Sequence, residues 1–203
     1  ITRAEATTIF FRLLTDEGRK QFWSTSNVYP DVKAGQWYNN AISTMTKAGI
    51  VDGYPDGTFR PDAPITRAEM AKIISLFAKL DKSESRFSDI AGHWAEAYIR
   101  LAAGNGWIAG YPDGTFGPQR NITRAETATM INRVLDRVPS EESHLLSRGV
   151  MQIWPDANPG DWFYLAMQEA TNSHDYERNA KWAAADEQWT ALRETRDWKA
   201  LEQ

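Results

Sequence analysis

The 203-residue chain has no cysteine, which excludes disulfides, thiolate metal centres and Cys nucleophiles. That absence fits a cytosolic protein and a bacterial surface protein equally. Surplus positive charge is missing as well: 23 Lys and Arg face 27 Asp and Glu, a net charge of −4. Without a basic field the chain is not expected to bind nucleic acid. No apolar run approaches the roughly 20 residues of a membrane span, so membrane insertion is not expected. No signal peptide is visible, yet the chain opens inside a repeating unit, so upstream sequence, including any cargo domain, is expected to be missing.

Histidine is scarce. His93, His144 and His174 lie in unlike contexts without metal-ligand spacing, so surface or capping roles are expected and no metal or cofactor is assigned. G-x-S-x-G and P-loop motifs are absent, the Asp-Gly turns lack the alternating acids of an EF-hand, and nothing pairs the scattered carboxylates. No catalytic residue is assigned, and the chain is read as a non-enzyme.

What is present is repetition. Ile-Thr-Arg-Ala-Glu occurs at residues 1–5, 65–69 and 122–126. Thr followed three residues later by Glu is a capping box, which satisfies two orphan backbone donors reciprocally, and the preceding Ile begins a hydrophobic staple. Apolar residues then recur at helical spacing: Ile9, Phe10, Leu13 and Leu14; Met70, Ile73, Ile74 and Phe77; Met130, Ile131, Val134 and Leu135. Three amphipathic helices are predicted, the first over residues 4–14. Arg3, Arg67 and Arg124 occupy the first helical position, where the macrodipole disfavours a cation. A capping box needs no Arg there, and a local rule broken three times points to function.

Residues 15–28 read as a polar connection pinned by Phe22 and Trp23. An opening segment then begins at Tyr29-Pro30-Asp31-Val32 and leads into a short helix through Trp37, Ala41, Met45 and Ala48 that ends at Gly49. Gly53-Tyr54-Pro55-Asp56-Gly57-Thr58-Phe59 follows, with a type I turn predicted over residues 54–57. The same order returns with Asp89, then Trp94 and Gly110-Tyr111-Pro112-Asp113-Gly114-Thr115-Phe116, with Trp37 to Trp94 and Gly53 to Gly110 each offset by 57 residues. Residues 81–86 and 139–143 read as linkers. A further opening, with Asp156 and Trp162, is followed by Asn172 to Arg178 where the Gly-Tyr-Pro-Asp-Gly turn is due. Trp37, Trp94 and Trp162 begin helices and are predicted to be core. Asp31, Asp56, Asp89, Asp113 and Asp156 are read as turn or capping residues.

This combination resembles the S-layer homology (SLH) repeat over residues 1–14, 29–80 and 87–138, and partially over 151–171. The resemblance implies a mainly α fold, with helix–loop–helix repeats in a pseudo-threefold arrangement around a central helical bundle and short strands at most, those at the turns. It implies a secreted, non-catalytic module at the bacterial cell wall or S-layer surface. Its partner would be a secondary cell-wall polysaccharide, commonly pyruvylated, held in grooves between repeats. The family's ITRAE basic residue is associated with that binding and maps onto Arg3, Arg67 and Arg124.

A mechanism follows: free N–H groups at a helix start and a forked Arg donor would receive the carboxylate of a pyruvyl ketal. Tyr54 and Tyr111 would face the sugar, and Gly53 and Gly110 would let backbone approach it. A structural scaffold that uses the repeats and tail for protein contacts or self-association is the alternative; an enzyme would need its catalytic part outside this chain.

The expected organisation is a repeat domain over 1–178 (1–14 the second half of repeat 1, 29–80 repeat 2, 87–138 repeat 3, 151–178 a half repeat closing repeat 1) and a Trp-containing helical tail over 179–203. Closure would pack residues 151–171 beside residues 2–14. It would leave Arg3 in a weaker groove lined by Asn172 to Tyr176 in place of the turn.

Overall fold

A computed structural model describes residues 1–77, 87–137, 139–178 and 187–202. The charged linker 81–86, part of the tail and Trp182 lie outside the described residues. The chain divides into two compact units. The first comprises Ile1–Asn105, Ala109–Ile122 and Asp197–Gln203; the second, Gly106–Ile108 and Thr123–Arg196. The described residues are mainly helical, with one two-stranded sheet.

In the first unit, α1 (Arg3–Leu13) and α4 (Arg67–Ser75) each begin with the capping box. Glu5 and Glu69 accept the N–H groups of Thr2 and Thr66 at 2.8 Å, and the threonine hydroxyls accept the glutamate N–H groups at 3.2 Å. An N-cap of this kind is worth about 1 kcal/mol. α3 (Asn39–Lys47) packs on α1, and α5 (Glu96–Gly104) packs on α4. Phe10, Phe11, Ile42, Met45, Met70, Ile74 and Ile99 fill the interior.

Backbone pairing links successive repeat words. The N–H of Ile65 donates to the carbonyl of Ile1, and that of Ile122 to the carbonyl of Ile65. Each Gly-Tyr-Pro-Asp-Gly segment closes as a turn, Gly57 N–H to Tyr54 O at 2.9 Å and Gly114 N–H to Tyr111 O at 3.0 Å. The following Phe is then held by an aspartate. Asp31 accepts Phe59 N–H and Arg60 N–H at 2.9 and 2.7 Å, and Asp89 accepts Phe116 N–H and Gly117 N–H at 2.7 and 2.8 Å.

The Asp31 carboxyl therefore lies below its ordinary value. Burial pushes it up, but the two N–H donors outweigh that and favour the anion. A lowered folded pKa contributes stability that is present above the unfolded value of about 4 and lost as pH falls through the folded one. Asp31→Asn is expected to shrink the loss of stability below about pH 4, read from urea midpoints across the acid range.

In the second unit, α6 (Arg124–Val134) has the third capping box, and α7 (Tyr164–Thr171) packs on it. Asn132 donates to Ala166 O at 2.9 Å across that pair. β1 (His174–Glu177) pairs antiparallel with β2 (Gln188–Leu192) through a bulge at Asp175/Tyr176.

Several expectations need correction. Residues 15–28 contain a helix, α2 (Asp16–Phe22), because Thr15 caps it by accepting Gly18 N–H and its charges run acidic to basic along the dipole. On α1 the buried face includes Phe11, packed near Trp23, whereas Leu13 is exposed. The tail is not simply helical: it supplies β2 before α8 (Trp198–Leu201). Trp189 is buried, and Trp198 lies over the guanidiniums of Arg12 and Arg19. The strands fall in this tail hairpin and not at the glycine turns.

Candidate functional site

Arg3 and Arg67 are buried to 6 % and 3 % exposure, and both are built into the same cradle. Arg3 Nε donates to Phe59 O at 2.8 Å and its Nη2 to Asp52 O at 2.8 Å. Arg67 Nε donates to Phe116 O at 2.9 Å and its Nη2 to Ala109 O at 2.8 Å. Each guanidinium also lies against two rings: Tyr54 and Phe59 at 4.7 and 4.5 Å, Tyr111 and Phe116 at 4.9 and 4.6 Å. So the Arg of one repeat word clamps the turn of the next unit. Arg3 thus faces the 53–59 turn. The cause is the backbone pairing that runs forward from each word to the one after it.

The same geometry uses the helix starts. Arg3 N–H and Ala4 N–H donate to Ala63 O and Pro61 O, both at 2.9 Å, and Arg67 N–H and Ala68 N–H to Arg120 O and Pro118 O. With the capping box, the first-turn donors of α1 and α4 are taken by protein and are not free for an anion. Arg124 differs from the other two: its side chain is exposed.

Beside Arg3 lies a cavity of about 420 Å³, with Tyr54, Glu69, Lys72, Trp94 and Gln119 among the residues around it. Glu69 joins the two walls. Its Oε1 accepts Arg3 Nη1 at 2.6 Å and the Tyr54 hydroxyl at 2.8 Å, while its Oε2 serves the capping box. Burial and this hydrogen bond, in that order, raise the Tyr54 phenol above its ordinary value, so it remains a donor at neutral pH. Lys72, one turn along α4 from Glu69, forms an ion pair with Asp52. The cavity therefore offers paired charges, a phenol and an indole.

Trp94 corrects the core assignment. Trp37, Trp94 and Trp162 are 61 %, 56 % and 68 % exposed. Each immediately precedes its helix N-cap (Tyr38, Ala95 and Phe163), and in the first two cases the N-cap residue takes the interior position. Gly53 and Gly110 are accounted for by packing. A Cβ on Gly53 would stand 2.4 Å from the Tyr29 ring, and one on Gly110 would stand 2.4 Å from the Phe87 ring. Gly53→Ala is expected to cost about 1–3 kcal/mol by overpacking, seen as a lower melting temperature.

Sequence reasoning missed Glu69, Lys72 and Trp94 as cavity residues. The capping box explained Glu69 completely, and nothing local marked Trp94. The spacing of Glu69 and Lys72 on one helix face, three residues apart, was the available signal.

Residues 28–71 and 86–128 match the family model described as S-layer homology domain. The chain is 38 % identical over 190 residues to cell surface glycoprotein 1 of Acetivibrio thermocellus, covering 87 % of this chain and 8 % of that protein. It is 40 % identical over 183 residues to a cellulosome-anchoring protein of the same organism, covering 87 % and 39 %. To the surface-layer 125 kDa protein of Lysinibacillus sphaericus it is 33 % identical over 145 residues, covering 68 % and 12 %. The chain thus spans well under half the length of these relatives. With the repeated word, the clamped turns and the matched segments in agreement, the chain belongs to the S-layer homology family.

Proposed function

We propose that this chain is a non-catalytic module that anchors a protein to the bacterial cell wall by binding a secondary cell-wall polysaccharide. Relatives named for the cell surface, the surface layer and cellulosome anchoring support the location. The observation that carries the binding reading is the cavity between Tyr54 and Trp94. A half-exposed indole is a face on which a pyranose ring can stack, and its neighbours Tyr54, Gln119 and Lys72 have polar tips suited to hydroxyls and a carboxylate.

In this reading Arg3 and Arg67 hold the turns that shape the sites. A pyruvyl carboxylate would meet Lys72 and any unspent Arg3 donors, and Tyr111 and Arg124 remain candidate contacts in their own repeats. Purified wall polysaccharide, native and with its pyruvyl groups removed, tests this by calorimetric titration. Binding only to the native polymer is expected. Equal binding to both would remove the pyruvyl group from the reading, and binding to neither would leave the scaffold alternative.

A further inference from the structure

His174 is not at the surface. It is 3 % exposed in the second unit, stacked on Trp189 at 3.8 Å between ring centroids, and it faces two buried carboxylates. Linear spacing hid this group, since Glu169 comes from α7, His174 from β1 and Glu187 from the residue before β2. The ring orientation is set by Nδ1, which lies 2.7 Å from Asn172 O. A carbonyl accepts only, so Nδ1 holds a proton and the neutral ring directs the Nε2 lone pair towards Glu169 Oε2 at 3.4 Å and Glu187 Oε2 at 3.6 Å. Burial lowers the tendency of His174 to take a second proton.

Three acceptor atoms thus converge, and Glu187 Oε2 is buried without a hydrogen-bond partner. Such an arrangement needs a positive species at its centre. Distance decides which one. A shared proton would draw N and O to about 2.7–3.2 Å. Zinc bonds of about 2.0–2.2 Å in a tetrahedron instead set neighbouring ligand atoms about 3.3–3.6 Å apart. Both N–O separations fit the second case, and one ligand atom of each of the three residues lies within 4.8 Å of the others.

We propose that Glu169, His174 and Glu187 form a zinc-binding site that fastens the β1–β2 hairpin to α7. The outer shell is of the kind such a site requires. Asn172 O fixes the histidine tautomer, Trp189 Nε1 donates to Glu169 Oε2 at 3.2 Å, and Arg178 holds the other oxygen of Glu187 at 3.0 Å. Arg137 is the competitor for the position. Its Nη2 lies 2.9 Å from Glu169 Oε1 and 3.4 Å from His174 Nε2, and with 34 % exposure its side chain can turn to solvent as the ion enters. A water would complete four-coordination. The site is independent of the cavity beside Arg3, and the polysaccharide reading does not depend on it.

The test uses the whole chain, stripped with a chelator, desalted and titrated with zinc chloride. One zinc per chain is expected by elemental analysis after desalting, with a rise in melting temperature that chelator reverses. The isosteric Glu187→Gln is expected to weaken zinc uptake at least tenfold while keeping the wild-type circular dichroism spectrum. His174→Ala, checked in the same way, is expected to abolish uptake. A folded wild-type chain that retains no zinc, or one whose uptake survives in Glu187→Gln and His174→Ala, overturns the proposal.

Discussion

Arg3→Ala is expected to lower the stability of the first unit by about 3–5 kcal/mol, the cost of removing one partner of a buried ion pair. The variant would leave Phe59 O, Asp52 O and the Glu69 carboxylate without their donor, and Glu69 is itself only 14 % exposed. Arg67→Ala should have a comparable effect through Phe116 O and Ala109 O. Arg124→Ala should change stability by less than about 0.5 kcal/mol, because that side chain is exposed. Urea denaturation of the three variants makes the comparison, with Arg3→Lys as a fourth. A lysine keeps the charge but not the fork, so only partial recovery is expected. Equal small losses at all three positions would reject the clamp and return these residues to ligand binding.

Trp94→Ala is the complementary case, with a large effect on binding and little on folding. Its ring is 56 % exposed and lines the cavity beside Arg3, while the next residue, Ala95, fills the interior at 0 % exposure. Stacking between an indole and a sugar should be worth about 1–2 kcal/mol, by analogy with other aromatic contacts. Affinity for wall polysaccharide should therefore fall roughly five- to thirtyfold, with a melting temperature near that of wild type. Trp37→Ala is the control for an equally exposed indole outside that lining. If Trp94→Ala binds like wild type, the cavity is not the polymer site. If the two variants lose affinity equally, the effect is not specific to the cavity.

The two pairs of variants separate roles that one motif combines. A binding assay alone would register Arg3→Ala as a loss of function, since a collapsed turn removes the cavity wall at Tyr54. Stability measured alongside affinity distinguishes a residue that builds the site from one that meets the ligand. In the structure Arg3 and Arg67 hold the turns, and Trp94 and Lys72 lie among the residues around the cavity.

Local chemistry was legible in the sequence. Thr2, Thr66 and Thr123 with Glu5, Glu69 and Glu126 formed the three capping boxes as read, because a cap depends only on residues three apart. The turns at residues 54–57 and 111–114 closed for the same local reason, and Asp31 and Asp89 proved to be backbone clamps on the Phe that follows each turn, 28 and 27 residues further on. The mainly helical class followed from periodicity.

Burial and partnership were decided by the tertiary structure alone. Identical words put Arg3 and Arg67 inside and Arg124 outside, since a cation is buried only where carbonyls and a carboxylate from another segment are there to receive it. Trp37 and Trp94 stayed exposed because each falls one residue before the first inward-facing position. His174 became the centre of a buried cluster only when the hairpin returned Glu187 to a helix that carries Glu169. Sequence spacing determines what neighbours on one element can do; which distant backbone atoms and charges meet is set by how the elements pack.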